Sequence, residues 1–393
     1  MFVIIAIITL VLAIAYALLI LNFSKGWSSL SSVASLSRTV GKSLFSRKGA
    51  KTQSFSIIIS ARNEALNIRD CLADIIAQDY PLQNFEVIVI DDFSEDDTVD
   101  IVNQFVAENR SHSIRLVKLS DEPITERNSF KKAAIKLGVE KSIFPWIITS
   151  DADCRRGNKW LESIASFILE NDPVMVSAPV CLKGSDNFFD QAQLLEFMGL
   201  VGIGAASLAL KSPNMCNGAN LVYKKDAFYE VNGFEGNDDL ASGDDEFLMH
   251  KMFQKWPNKV LFLKSVDAIV STKPETSLGS FIQQRKRWVS KSRKYSNGQI
   301  TLVLAGAWIF HLLLLFNWVA GFFAPVYFII FLVAFALKLI SEFLFLNKVC
   351  AFFNQKKSLS VLIPAGFAYI FYVLFIGIYG NFGSYSWKGR NVK

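Results

Sequence analysis

The chain has 393 residues, with 41 basic and 35 acidic side chains and a net charge of +6, which is long enough for one large domain plus further elements. Hydrophobic residues make up 51%, too many for an ordinary soluble enzyme, and the excess lies at the two ends. The modest charge does not point to nucleic acid, because the basic residues cluster beside apolar segments, where an anionic membrane surface accounts for them.

Residues 2–22, FVIIAIITLVLAIAYALLILN, carry no charge and can cross about 30 Å of hydrocarbon. No basic stretch precedes them and no small-x-small cleavage site follows, so an uncleaved helix over 1–23 is expected in place of a signal peptide. Lys25, Arg38, Lys42, Arg47, Lys48 and Lys51 make 24–53 a basic linker. The positive-inside rule then places the next domain, 54–277, in the cytoplasm and the N-terminus outside.

From 54 to about 180, β-rich runs alternate with helical patterns. FSIIIS (55–60) precedes a helix near 64–78, FEVIVI (85–90) one near 96–109, and IRLVKL (114–119) one near 130–142. WIITS (146–150) precedes one near 158–170, and VMVSAPV (174–180) follows. This alternation predicts βα units in an α/β domain with a largely parallel sheet. Right-handed crossovers put the loops after the strands along one edge. Asn63, Glu64, Asp91, Asp92, Asp151 and Asp153 all fall there, where open sheets of this class bind ligands.

Residues 187–211 are apolar and helical in pattern but are interrupted by Asp190 and Glu196, which predicts a buried or interfacial helix. Residues 278–298 mix apolar side chains with cations, as an amphipathic helix at the cytoplasmic face does. Three spans are expected within 299–384, near 301–320, 322–346 and 359–382. A basic tail, 385–393, closes the chain. Three spans put the C-terminus outside, whereas Lys388, Arg390 and Lys393 favour the cytoplasm, so one span would have to be re-entrant or a surface helix. The five cysteines are dispersed without a CxxC pair and read as free thiols.

Four clusters carry chemistry. Asp151-Ala152-Asp153 could be a solvated turn, but two hard oxygen ligands at a strand end suit Mg2+ or Mn2+ bridging a diphosphate. Asp91 and Asp92 end a strand, where one can accept hydrogen bonds from a base or ribose, whereas Asp96 or Asp97 reads as a helix cap. Asp244-Asp245-Glu246 could be acids favoured by a helix macrodipole. Three in a row exceed what capping needs, and a carboxylate can act as general base. Gly233, Gly236 and Gly243 beside them predict a mobile loop closing over substrate. Gln284-Arg285-Lys286-Arg287-Trp288 reads either as a membrane-anchoring basic helix or as a phosphate clamp through Arg287, with Trp288 a flat face for a sugar or headgroup. Lys131 and Lys132 either meet phosphate or face solvent, and solvent is the expectation for Lys132.

SIIISARNE (56–64), VIVIDDFSEDDT (87–98), Lys131, SDADC (150–154), CNGANLVYKKDAF (216–228), SGDDEFL (242–248) and QRKRW, ending at Trp288, stand in this order. Together they resemble membrane-bound family 2 glycosyltransferases of the GT-A fold, over residues 54–296 plus the flanking apolar segments. The resemblance implies a GT-A type, Rossmann-like mixed sheet flanked by transmembrane helices. It implies that Asp91 or its neighbour holds the nucleobase, usually uracil, near Asn63 and Glu64. Asp151 and Asp153 would bind diphosphate and metal, Gly218, Ala219 and Asn220 the acceptor side, and Gln284, Arg287 and Trp288 would be the QxxRW signature. Asp245 would deprotonate the acceptor. The motif reads Gly-Asp-Asp where many relatives have Thr-Glu-Asp, so Asp244 competes for that role.

The implied reaction is inverting transfer of a sugar from a nucleotide diphosphate sugar, expected to be UDP-linked, to a lipid or glycan acceptor at a membrane. About three C-terminal spans are few to line a polymer channel, which favours a lipid or lipid-linked acceptor over the growing chain of a processive synthase. A non-catalytic scaffold that kept a nucleotide-sugar domain is the reading of another class. A transporter is disfavoured on the expectation that charges lie outside the spans.

Overall fold

The computed structural model describes residues 2–32, 52–122, 129–236, 242–290, 298–380, 385–388 and 390–392. Arg38, Lys42, Arg47, Lys48, Lys51 and Lys393 lie outside these. The chain forms two compact units, one of Met1–Ser28, Gly184–Ala206 and Pro274–Lys393, the other of Ser29–Lys183 and Ser207–Lys273.

The second unit is built on strands β1 (Phe55–Ala61), β2 (Phe85–Asp91), β3 (Ile114–Lys118) and β4 (Trp146–Asp151). β2 is buried along its whole length and β4 until its last residue, which is why these strands read as continuous apolar runs. They pair in parallel, with β1 between β2 and β4. Helices Ile68–Ile76, Thr98–Glu108, Phe130–Lys141 and Trp160–Asn171 follow the strands, each within a few residues of its expected place.

Beyond β4 the sheet is mixed, with a single strand reversed. The short strands are β5 (Arg155–Arg156), β6 (Met175–Ser177), β7 (Val180–Leu182), β8 (Leu221–Lys224), β9 (Val260–Phe262) and β10 (Val270–Thr272). The main sheet runs β3-β2-β1-β4-β8-β6-β9, and β5-β10-β7 form a second, small sheet. The expected single run 174–180 is thus split between two sheets. Pro179, which has no N–H to continue a ladder, stands at the break, and its carbonyl accepts from Val270 N at 3.0 Å.

The three glycines read as a mobile loop all have positive φ, so their backbone conformation by itself calls for glycine. Gly233 follows helix Lys225–Glu230, its N–H donating to Phe228 O at 2.8 Å. A Cβ there would lie 2.6 Å from the Phe228 ring. Gly233→Ala is therefore expected to cost about 1–2 kcal/mol for the left-handed backbone and about 1–3 kcal/mol for overpacking. Thermal unfolding checks this, and an unchanged midpoint would contradict it.

The first unit is helical. Among the described residues, five helices are long and apolar enough to cross a membrane. They include Phe2–Ser29, Gly298–Ala320, Pro325–Phe352 and Leu362–Tyr379 with the short turn before it. The fifth, Phe188–Ala209, was expected to be buried or interfacial. It is continuous through Asp190 and Glu196 and qualifies by length and composition, with most of its span buried. Gly202 on it lets Val349 and Phe345 approach closely. Asp190 accepts from Ser185 and Gln191 from Ser358, so these polar side chains are satisfied within the fold.

Ala13, Phe310, Leu314, Phe331, Ala334, Ile370 and Leu374 form an apolar core among these helices. Pro325 sits at the start of its helix, where its missing N–H costs nothing. Lys338 and Glu342, which fall inside the expected second span and make it uncertain by sequence, lie within a helix of the bundle, so the expectation that charges lie outside the spans fails. Lys338 pairs with Glu342 at 2.9 Å, and Tyr16 Oη donates to Glu342 at 2.6 Å, so the charges are neutralised inside the bundle. The expected basic tail holds a hairpin of β11 (Tyr385–Trp387) and β12 (Arg390–Val392).

Candidate active site

β4 emerges from burial at Asp151. Lys131 Nζ, from helix Phe130–Lys141, lies 2.7 Å from Asp151 Oδ1. Asp153 Oδ2 accepts from Thr272 Oγ1 at 2.8 Å, and its other oxygen faces the Cys154 thiol at 3.6 Å. Ligand atoms of Asp151, Asp153 and Cys154 all fall within 4.8 Å of one another. Burial, with the Asp153 and Asp151 charges adding, pushes the Cys154 thiol well above its ordinary value. The two carboxylates form a hard-oxygen pair that fits Mg2+ or Mn2+, with the buried Cys154 side chain beside them. Beneath the turn, buried Arg156 donates to Ser150 Oγ at 2.8 Å and lies over the Trp160 ring.

Helix Asp244–Lys255 begins after Gly243, whose φ is +81°. Its three acids have different surroundings. Asp245 Oδ2 accepts from Gly218 N at 2.9 Å and Oδ1 from Glu246 N at 2.8 Å. The Gly218 carbonyl in turn accepts from Thr149 Oγ1 at 2.8 Å, so β4 holds the loop that holds Asp245. Asp244 is buried, as is Glu246. Burial pushes the Asp244 carboxyl up, Lys131 opposes this, and Asp245 and Asp151 add to it. Asp244 and Asp245 both lie against Gly218, which is bonded to Thr149 of β4, two residues before the Lys131–Asp151 pair.

Lys132 corrects the sequence reading. It is 1% exposed, with its ammonium over the Phe247 ring at 5.8 Å. The face of its helix that carries it is covered, which no local pattern signalled. The Asn220 amide donates to Pro179 O and Ala268 O at 2.9 and 2.8 Å, and its carbonyl accepts from Trp160 Nε1 at 3.0 Å. Fully buried, it ties the core together at this point. Ala219 is buried as well.

The loops after β1 and β2 are stitched together. Asn63 has φ +51° and Phe93 φ +53°. Asn63 Oδ1 accepts from Glu95 N at 2.8 Å. Glu64 N donates to Thr98 Oγ1 at 2.8 Å, and the Glu64 carboxylate accepts from Asn67 at 2.8 Å. Asp91 accepts from Ser94 N at 3.2 Å. Arg62 donates to Asp92 O at 3.1 Å, to Phe93 O and to Glu95. Asp91, Asp92 and Glu64 are all buried. Asp96 accepts from Thr98 N and Ala65 N, which is the capping role, while Asp97 caps with no side-chain bond.

In the helical unit, Gln284, Arg287 and Trp288 lie on helix Leu278–Ser290. Gln284 Nε2 donates to Glu275 at 2.7 Å. The Trp288 ring has the Arg285 guanidinium at 4.1 Å and the Phe197 ring at 6.1 Å, so its flat surface is at least partly taken by protein. Sequence reasoning missed Thr149 and Thr272, and named Arg285 and Glu196 without their pairing. The pairings carry no local signal, since each joins partners distant in sequence.

A family model described as glycosyl transferase family 2 matches residues 56–231, and one described as glycosyl transferase family group 2 matches residues 146–380. Glycosyltransferase AglE of Haloferax volcanii is 34% identical over 113 residues, covering 29% of this chain and 34% of that protein. Poly-beta-1,6-N-acetyl-D-glucosamine synthase of Staphylococcus epidermidis is 22% identical over 248 residues, covering 61% of this chain and 54% of that one. The chain thus spans about a third to a half of the length of these curated relatives. The mannosyltransferase PcManGT from Pyrobaculum calidifontis, solved with GDP-Man and Mn2+, aligns with a TM-score of 0.53 over 94% of this chain and 99% of that chain. At 15% identity that likeness shows the fold alone, and the fold is the GT-A type mixed sheet.

Proposed function

Because the chain belongs to glycosyl transferase family group 2, we propose that it transfers a sugar, with inversion, from a nucleotide diphosphate sugar to a hydroxyl of a lipid or lipid-linked acceptor. The donor is taken as UDP-linked, and the work is done at the cytoplasmic face of an inner or plasma membrane. The observation that carries this is that the Lys131–Asp151 pair ends β4 while Asp245, beside Asp244, is held through Gly218 to Thr149 of the same strand.

Asp245, oriented by the Gly218 and Glu246 N–H groups, takes the acceptor proton as the hydroxyl oxygen attacks the anomeric carbon. The bond from that carbon to the diphosphate oxygen breaks on the opposite face, and the electron pair leaves with the nucleotide diphosphate. Asp151 and Asp153 would hold Mg2+ or Mn2+, which supplies charge neutralisation to the leaving group. Lys131, now on Asp151, adds a second cation. Asn63, Glu64, Asp91 and Asp92 are assigned to the nucleotide, and Gln284, Arg287 and Trp288 to the diphosphate and acceptor. The intact acids oppose a scaffold without catalysis. The likeness to a polysaccharide synthase keeps processive addition as the second reading.

Purified protein in detergent, given a panel of nucleotide sugars, is expected to release free nucleotide diphosphate from one of them. EDTA should stop release, and Mn2+ or Mg2+ should restore it. Silence with every donor, metal present or absent, would overturn the proposal. A single sugar added to labelled lipid supports the first acceptor class, and a ladder of products the second.

A further inference from the structure

We propose that Arg285, paired with Glu196, is a positioning residue for the transfer reaction, setting the geometry of Gln284 and Trp288; this rests on the reading above. Arg285 lies between signature residues on helix Leu278–Ser290 and is 2% exposed. Its Nε and Nη2 reach Glu196 Oε2 at 3.1 and 2.6 Å. Its Nη1 donates to Gln284 Oε1. Its flat face lies 4.4 Å from the Phe281 ring centroid and 4.1 Å from that of Trp288. One guanidinium therefore touches two of the three signature side chains.

The network closes on itself. Gln284 Nε2 donates to the Glu275 carboxylate at 2.7 Å, and the Glu275 main chain exchanges bonds of 2.9 and 3.0 Å with Gln193. Gln193 and Glu196 share helix Phe188–Ala209, so the signature helix is pinned to it at two points. A buried cation needs a partner of opposite charge, and Glu196 supplies it. The planar fork is essential because it bonds edge-on to Glu196 and Gln284 while stacking on two rings. A lysine keeps the charge and loses both the fork and the flat face.

The test is steady-state transfer by full-length protein in detergent, comparing Arg285→Lys and Glu196→Gln with wild type. Arg285→Lys is expected to lower kcat on the order of 10²-fold, with donor KM within twofold of wild type and the unfolding midpoint kept. Glu196→Gln, which keeps an acceptor oxygen, is expected to fall in the same direction by less. Wild-type kcat in both variants would overturn the inference, as would a kcat loss that follows the unfolding midpoint in both. An active wild type with unaffected variants sinks this inference alone, whereas a wild type inactive with every donor sinks the functional reading and this one with it.

Discussion

Replacing Asp245 by asparagine is expected to lower kcat by about 10²–10⁴-fold while nucleotide binding and the fold persist. The substituted amide would keep one oxygen for one of the two main-chain donors, Gly218 N or Glu246 N, that Asp245 now accepts from. The other donor would face an amide NH2, at a cost of about 1–3 kcal/mol if water does not reach it. What disappears outright is the capacity to remove the acceptor proton. The competing acid, Asp244, is buried, whereas Asp245 is only partly buried and is oriented by two main-chain donors. kcat at saturating donor, with UDP binding measured by calorimetry, checks the assignment. A variant within tenfold of wild type would pass the base role to another group.

The second large effect is expected at Asp153. Asp153→Asn keeps an oxygen for the Thr272 hydroxyl and so should leave folding intact. It removes one of the two carboxylates proposed to hold the metal, and the lost electrostatic stabilisation of the leaving group is expected to lower kcat by about 10²–10³-fold. The Mn2+ needed for half-maximal rate should rise, with excess metal restoring part of the activity. Asp151→Asn should do the same and also free Lys131 from its ion pair at 2.7 Å. That pair is partly exposed, so its loss costs stability little, about 0–1 kcal/mol. Rates and metal dependence equal to wild type in Asp153→Asn would refute a metal role for this carboxylate.

The parallel half of the sheet was legible because burial on both faces leaves FSIIIS, FEVIVI and WIITS as apolar runs, each ending near its acid. The half beyond β4 was not. β8 and β9 are four and three residues long, too short for any period to show. Phe188–Ala209 was read as broken by Asp190 and Glu196, yet both have partners in the fold, Ser185 and Arg285. Lys132 misled for the matching reason, since a polar side chain in sequence does not reveal whether the fold buries it.

The sequence by itself determined that hard acids follow buried strands, that both ends are apolar enough for a bilayer, and that the motifs follow a known order. These are local properties, carried by runs of a few residues. Only the tertiary structure decided which groups work together. β8 enters antiparallel beside β4, which brings Gly218 to Thr149 and through it orients Asp245. Such bonds join residues far apart in the chain, and their geometry depends on strand order and direction, which side-chain pattern does not encode.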